Sequence, residues 1–210
     1  IDLFSSSNIG IHKDKFIIKP NFSPLNNNDS ILDKEDCFLF VGRLTEEKGV
    51  RLLIKAFETR SYKLKIVGEG PLKEYVLDAT NSNSNISYLG VLKKEDVCIE
   101  LKKANALIFP SIWLEPFGLV ITEAFSSSCA VISTNIGAPK SLIENKKNGF
   151  HFESNNVHDL ISIIKKWESL TIEEKEVMRK HALKVFLSKY SPKKQDAFFN
   201  NIYINAIENK

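Results

Sequence analysis

The sequence predicts an α/β fold, a doubly wound parallel sheet with helices on both faces and further helices at its carboxyl end. Two observations support this prediction. Short apolar runs, typical of strands that are covered on both faces, recur along the chain, and segments with helical spacing of apolar residues separate them. Strands that alternate with helices in this way indicate a parallel sheet with right-handed crossovers.

The first 36 residues lie outside this alternation. Residues 1–22 end in KFIIKPNF, which is typical of a strand that runs into a loop, and residues 23–36 are polar, rich in asparagine and aperiodic, as in a linker. The α/β unit is therefore predicted to occupy residues 37–190. Residues 191–210 are predicted to form a separate final helix.

Six strands are predicted inside this unit. The first is CFLFVGRL, and a helix with Val50, Leu53, Ile54 and Phe57 at helical spacing follows it. The later strands are, in order, KLKIVGE, ISYLG, ALIFPS, AVISTN and GFHFE. The remaining helices are predicted at 71–79, 93–104, 117–128, 139–145, 157–169, 171–188 and 192–207.

Composition narrows the class of protein. A chain of 210 residues with 43% hydrophobic residues can form one good-sized globular domain plus appendages. The net charge of +3 does not indicate a nucleic-acid partner, and no apolar run is long enough for a bilayer span. Cys37, Cys98 and Cys129 are too far apart for a disulfide framework or a zinc site, so a reducing cytoplasm is expected.

The common nucleotide fingerprints are incomplete. Gly68 and Gly70 are not followed by the third glycine of a dinucleotide-binding motif, and no phosphate-binding P-loop is present. The chain also lacks an Asp-Xaa-Asp pair that could hold a divalent metal on a diphosphate. Neither a cofactor nor a metal ion is therefore predicted.

The segment SIWLEPFGLVITEAF, residues 111–125, draws attention because Glu115 and Glu123 flank seven uncharged residues. Pro116 suits the first turn of a helix, which would leave the amides of Phe117, Gly118 and Leu119 free. A helix N-terminus with free amides is a favourable site for phosphate. Either glutamate could instead be an ordinary surface acid.

Arg43 and Lys48 flank the loop that follows the first predicted strand, at the same edge of the sheet. Together with the helix start near Gly118 they could surround a diphosphate without a metal ion. Two solvated surface cations would explain the same residues, and both interpretations stay open at this point.

Five motifs, taken in order, resemble one family: GRLTEEKG, VGEGP, LGVL, PSIWLEPFGLVITEA and NGFHF. Residues 37–170 are similar to the carboxy-terminal, donor-binding half of retaining GT-B glycosyltransferases (family four, "glycosyl transferases group 1"). The resemblance implies a Rossmann-like domain, transfer of a sugar from a nucleoside-diphosphate sugar to a glycan or lipid-linked acceptor, and no metal ion. The Lys-, Asn- and Ile-rich composition suggests a bacterial polysaccharide pathway.

The resemblance also implies roles for individual residues. Arg43 and Lys48 would bind the diphosphate and stabilise it as a leaving group, and Glu115 would contact the donor sugar, making these three the catalytic candidates. Glu123 would bind the ribose hydroxyls, and the amides of Phe117, Gly118 and Leu119 would face the phosphates and sugar. Val91, in the LGVL loop, would lie near the base.

Two departures from the family pattern weigh against full activity. The turns at 127–131 and 137–140 differ from their usual form, and Lys140 stands where an acid is common. The family's amino-terminal acceptor domain is absent, with residues 1–22 resembling its last segment, so the chain alone is expected to bind donor and transfer little sugar. Membrane contact, where the family has it, usually belongs to that absent half.

Two alternatives remain open from the sequence. A nucleotide-sugar epimerase of the same architecture would rearrange or hydrolyse the donor without an acceptor. A non-catalytic module would bind the sugar nucleotide only.

Overall fold

A computed structural model describes residues 19–24, 33–58 and 62–208. The strand predicted within KFIIKPNF falls largely outside these residues. The described chain contains one six-stranded sheet in which every pairing is parallel, in the order β3-β2-β1-β4-β5-β6. The strands are β1 (Cys37–Val41), β2 (Lys63–Val67), β3 (Ile86–Gly90), β4 (Leu107–Phe109), β5 (Val131–Thr134) and β6 (Gly149–Phe152).

Helices connect and follow the strands, which confirms the predicted α/β fold. They are α1 (Val50–Phe57), α2 (Lys73–Ser82), α3 (Lys94–Lys103), α4 (Leu119–Ser126), α5 (Pro139–Leu142), α6 (Val157–Glu168), α7 (Ile172–Val185) and α8 (Pro192–Glu208). A π-helical turn, Phe186–Tyr190, joins α7 to α8 and closes with a hydrogen bond from Ser191 N to Phe186 O of 3.0 Å.

The sheet has a buried apolar layer on each face, which explains its uninterrupted apolar strands. Alternate residues of one strand point to opposite faces. Phe38 and Phe40 of β1 therefore belong to the layer under α1, α2 and α6, while Leu39 belongs to the layer under α3, α4 and α7. Trp167 and Phe125 are the largest fully buried side chains of α6 and α4.

Several predicted helix boundaries were wrong by two or three residues, among them both ends of α2, which is Lys73–Ser82, and the end of α5 at Leu142. Two others have a clear structural reason. The helix predicted at 117–128 begins only at Leu119, because Gly118 adopts a left-handed backbone conformation with φ of 88° and interrupts the helical turn before it. Pro116 thus lies in the preceding loop. The helix predicted at 171–188 leaves α geometry after Val185, where the π-helical turn begins.

The strand order creates a topological switch point between β1 and β4. Connections from these neighbouring strands run in opposite directions along the sheet, so the loops after them separate and leave a crevice. Those loops are residues 42–49 and 110–118. None of the helices in the described ranges is both long enough and apolar enough to cross a membrane.

Candidate functional site

The loops after β1 and β4 contact each other through a backbone hydrogen bond and a close backbone approach. Ile112 N donates to Glu47 O at 2.9 Å. Gly49, with φ of 70°, lies against the carbonyl of Pro110 so closely that any Cβ there would overlap it. The relative position of the two loops is therefore fixed by backbone contact, and glycine is required at residue 49.

A groove of about 540 Å³ opens between these loops. It is bounded below by the ends of β1 and β4 and along one side by the first two turns of α4. Its lining consists of Asn21, Phe40, Val41, Gly42, Arg43, Lys48, Phe109, Pro110, Ser111, Glu115, Pro116, Phe117, Gly118, Leu119, Val120 and Glu123.

Glu115 is held rigidly at one end of the groove. The residue is only 8% exposed. Its Oε1 lies 2.5 Å from Lys48 Nζ and accepts a hydrogen bond of 2.7 Å from Ser111 Oγ. Gly137, with φ of 61°, packs on the Glu115 backbone, where a Cβ would come within 2.8 Å of the Glu115 nitrogen. Glu115 is therefore a buried, ion-paired carboxylate and not a solvated loop acid.

Lys48 is stabilised by that carboxylate. It lies just before the first turn of α1, where the positive end of the helix dipole disfavours a cation. The Glu115 carboxylate offsets this repulsion, and the Lys48 side chain remains 25% exposed toward the groove. The ammonium can thus reach a second anion beside Glu115.

The N-terminus of α4 supplies donors on the other side. Gly118 is the N-cap residue and no side chain caps the helix. Within the described ranges, the amides of Phe117, Gly118, Leu119 and Val120 donate to no backbone carbonyl, and the first such bond is Ile121 N to Gly118 O at 3.0 Å. Free amides at the positive end of a helix dipole favour an anion.

Arg43 adds a guanidinium to the same groove. Its side chain is exposed and lines the opening, and it forms no ion pair with any acidic residue in the described part of the chain. Guanidinium groups bind phosphate oxygens in a bidentate manner. Arg43 is therefore available to an anionic ligand.

Glu123 lies one turn further along α4, where the helix is otherwise apolar. Its side chain is 22% exposed, and its Oε1 is 3.8 Å from Lys94 Nζ of α3. Burial raises the pKa of the Glu123 carboxyl, and the Lys94 charge opposes this effect. A half-buried carboxylate that lines a groove is suited to accepting hydrogen bonds from ligand hydroxyls.

Seven of the eight predicted site residues line this groove: Arg43, Lys48, Glu115, Phe117, Gly118, Leu119 and Glu123. Val91 does not. It is 69% exposed on the loop after β3, while its neighbour Leu92 packs against the core, so its role near a base stays a prediction.

Sequence reasoning did not single out Ser111, Gly137 or Lys94. Gly137 and Lys94 contact a glutamate that is distant along the chain or on another helix, and a single sequence carries no signal for such contacts. Ser111 was the easiest of the three to predict, because it lies two residues after the buried strand β4 and only four residues before Glu115.

The arrangement suits a ligand with a central anion flanked by hydroxyl-bearing groups. Arg43, Lys48, the free amides at the start of α4 and the carboxylates of Glu115 and Glu123 all line this one groove. Among the residues that the structure describes, no group of three or more His, Cys, Asp or Glu side chains could hold a metal ion.

Comparisons with known proteins agree with this geometry. Residues 24–185 match the family "Glycosyl transferases group 1". An uncharacterized glycosyltransferase of Methanocaldococcus jannaschii is 32% identical over 126 residues, covering 57% of this chain and 32% of that protein. The O-antigen chain mannosyltransferase C of Escherichia coli is 33% identical over 116 residues, covering 54% of this chain and 31% of that protein. The matched segment thus spans about a third of the length of these relatives.

A similar fold is found in Anabaena HepE, whose crystal structure was solved in complex with UDP. The TM-score is 0.74 at 19% identity, covering 82% of this chain and 49% of that one. The match of the family to 162 residues, together with the sheet order and the relatives, leads to one conclusion. The chain belongs to the glycosyl transferases group 1 family, and its described residues form a Rossmann-like α/β domain like those of GT-B glycosyltransferases.

Proposed function

We propose that this chain is the donor-binding half of a retaining glycosyltransferase that moves a sugar from a nucleoside-diphosphate sugar to a glycan or lipid-linked acceptor. One observation carries the proposal. The groove at the switch point combines two cations, Arg43 and Lys48, and the free amides at the start of α4 with two carboxylates, which is the complement of a diphosphate between a ribose and a sugar.

Each group then has a distinct role. Arg43 and the free amides at the start of α4 bind the diphosphate, and Glu123 accepts hydrogen bonds from the ribose hydroxyls. Glu115 contacts the donor sugar, and its ion pair with Lys48 fixes the ammonium where sugar and diphosphate meet. Val91 remains the proposed neighbour of the base.

The charges also support a mechanism. The bond between the anomeric carbon and the phosphate oxygen breaks, its electron pair goes to the diphosphate, and positive character develops on the sugar ring. Arg43, Lys48 and the α4 dipole stabilise the departing negative charge in place of a metal ion. The acceptor hydroxyl attacks from the face that the diphosphate leaves and transfers its proton to a phosphate oxygen, so configuration is retained.

The acceptor side is proposed to lie outside this chain. The relatives are roughly twice as long as this chain, and one of them is named for mannosyl transfer to the O-antigen chain. We therefore propose a polysaccharide or lipid-linked glycan acceptor that the rest of the protein would bind. Cys37, Cys98 and Cys129 are free thiols, which supports a reducing cytoplasm as the location.

Calorimetric titration with UDP, GDP and ADP tests the proposal, first in chelator and then with magnesium. We expect one nucleotide to bind selectively and with equal affinity in both conditions. Failure of all three to bind, or binding only with magnesium, would contradict the proposed site. The same preparation should transfer little sugar, and release of a modified free sugar without any acceptor would point to an epimerase instead.

A further inference from the structure

Lys94 is a charged residue beside the groove to which no function has been given. It is the first residue of α3, and its Nζ lies 3.8 Å from Oε1 of Glu123 on the neighbouring helix α4. The Lys94 side chain is 53% exposed, whereas that of Glu123 is 22% exposed. The contact therefore joins an exposed cation to a largely buried carboxylate.

The charge of Lys94 favours the ionised form of Glu123, and this form is the better acceptor of hydrogen bonds. An ionised carboxylate can accept hydrogen bonds from two adjacent hydroxyls, while a protonated one loses part of that capacity. Burial in the apolar α4 raises the pKa of Glu123, and Lys94 is the charge that opposes the effect. Without Lys94 the carboxylate would lose its proton less readily.

The other titratable groups near Glu123 do not replace Lys94. Cys98, one turn along α3, faces Glu123 as a thiol whose pKa is itself raised, first by burial and then by the Glu123 charge. Tyr190 of the π-helical turn packs on Phe117. Arg43 and Lys48 lie on the opposite loop of the groove. In the described part of the chain, Lys94 forms the ion pair with Glu123.

We propose that Lys94 is a positioning residue, which orients the Glu123 carboxylate toward the groove and keeps it ionised while a nucleoside diphosphate binds. This inference rests on the proposed function, because it assigns to Glu123 the contact with the ribose. It adds a residue from α3 to a site otherwise built from the loops after β1 and β4 and from α4.

A direct contact of Lys94 with the phosphates is the competing explanation, and pH separates the two. A lysine ammonium stays charged across the neutral range, so a direct phosphate contact would be worth the same at each pH there. A lysine that acts through Glu123 matters most at acidic pH, where the carboxylate starts to take up a proton.

The test compares wild type, Lys94→Met and the control Lys93→Met in calorimetric titrations with UDP, GDP and ADP from about pH 5.5 to about pH 8.5. Lys93 is an adjacent exposed lysine, so its loss changes the net charge equally. We expect Lys94→Met to weaken binding about threefold to fivefold at the acidic end and less than about twofold at the basic end. Lys93→Met should stay within about twofold throughout.

The same comparison in a Glu123→Gln background completes the test, since an amide cannot titrate. There Lys94→Met should have no further effect. Equal weakening at every pH, persistence of the effect in Glu123→Gln, or no weakening at all would each overturn the proposal.

A readout without nucleotide separates this inference from the proposed function. The Glu123 side-chain carbon, followed by NMR in protein labelled at glutamate, should titrate at higher pH in Lys94→Met than in wild type. An unchanged titration midpoint would overturn the role of Lys94. If wild type bound none of the three nucleotides, the proposed function would fail while this midpoint still decided whether Lys94 controls Glu123.

Discussion

Cationic side chains lie both where the parallel strands begin, here called the amino edge of the sheet, and where they end, the carboxyl edge. The two groups differ in whether they have hydrogen-bond or ion-pair partners within the chain. At the amino edge, Arg179 Nη2 donates to Asn105 O at 2.9 Å, and Trp167 Nε1 donates to Asn105 Oδ1 at 2.9 Å. Lys34 Nζ reaches the carbonyls of Ala104 and Ser128 at 3.5 and 3.4 Å. Both cations thus donate to groups of the same chain, although the buried Nε of Arg179 has no hydrogen-bond partner among the described residues.

At the carboxyl edge, Arg43 has no ion-pair partner among the described residues, and the first amides of α4 donate to no backbone carbonyl there. Buried polar groups are normally satisfied, so donors left open beside a groove indicate a ligand, whereas satisfied ones contribute to stability. The edges should therefore respond differently to substitution, one in stability and the other in binding.

The largest expected effect is on stability, from Arg179→Ala at the amino edge. The residue is 5% exposed, and its loss removes the donor that Asn105 O accepts from. We expect a loss of about 3 kcal/mol in the free energy of unfolding, or ~6–12 °C in Tm, measured by thermal denaturation. Nucleotide affinity per folded molecule should not change.

Lys180→Ala is the matched control for Arg179→Ala, because Lys180 is the next residue and is exposed. It should leave Tm unchanged. If Arg179→Ala lowered affinity and not Tm, the distinction between the two edges would be wrong.

For Arg43→Ala at the carboxyl edge, we expect nucleotide affinity to fall and stability to stay the same. Loss of a charged donor to the diphosphate should weaken nucleotide binding ~10–100-fold, about 1.5–3 kcal/mol, in calorimetric titration. Tm in the absence of ligand should remain within experimental error, since the guanidinium has no ion pair to lose in the described chain.

Arg51→Ala serves as its control, because Arg51 is also basic and exposed but pairs with Glu46 and does not line the groove. The nucleotide affinity of Arg51→Ala should equal that of wild type. A clear loss of Tm in Arg43→Ala would show that Arg43 is a structural residue.

The smallest expected effect is on the pH dependence of stability, from the Glu123 carboxyl in α4. Burial raises the pKa of Glu123 above 4.5, so the native state holds this proton more tightly than the unfolded state. The Glu123 carboxyl therefore lowers stability progressively as pH rises from the unfolded pKa through the native pKa, and keeps it lower above. Glu123→Gln cannot titrate, so its Tm should match wild type at acidic pH and exceed it at neutral pH.

Thermal denaturation across that range measures the Glu123 effect, and calorimetry should show weaker nucleotide binding by the same variant. A neutral-pH Tm below that of wild type would mean that the ionised carboxylate stabilises the free protein. Glu123 would then belong with the satisfied groups of the amino edge.

The strands and most helices were predictable because each depends on local periodicity. Every predicted strand from Cys37 onward is present, since a continuous apolar run is what a strand covered on both faces requires. The start of α4 was mispredicted because Pro116 suits a first helical turn, while the left-handed Gly118 two residues later decides the boundary.

Most residues that line the groove could be named from the sequence, but the contacts between them could not. The cations and glutamates could be assigned to one sheet edge, because the carboxyl ends of parallel strands lie together. Lys48 and Glu115, however, are 67 residues apart, and Lys94 and Glu123 lie on different helices. Such pairs depend on how the loops and helices pack, which a local pattern does not encode.

The π-helical turn has a consequence for the direction of the last helix. Its bond from Ser191 N to Phe186 O spans one residue more than an α turn, and Tyr190 at its end meets Phe117 with ring centroids 5.9 Å apart. Deleting one residue here would restore α geometry and rotate everything after it by about 100°. The length of this single turn thus fixes the direction in which α8 leaves α7, and it keeps Tyr190 against Phe117 in the wall of the groove.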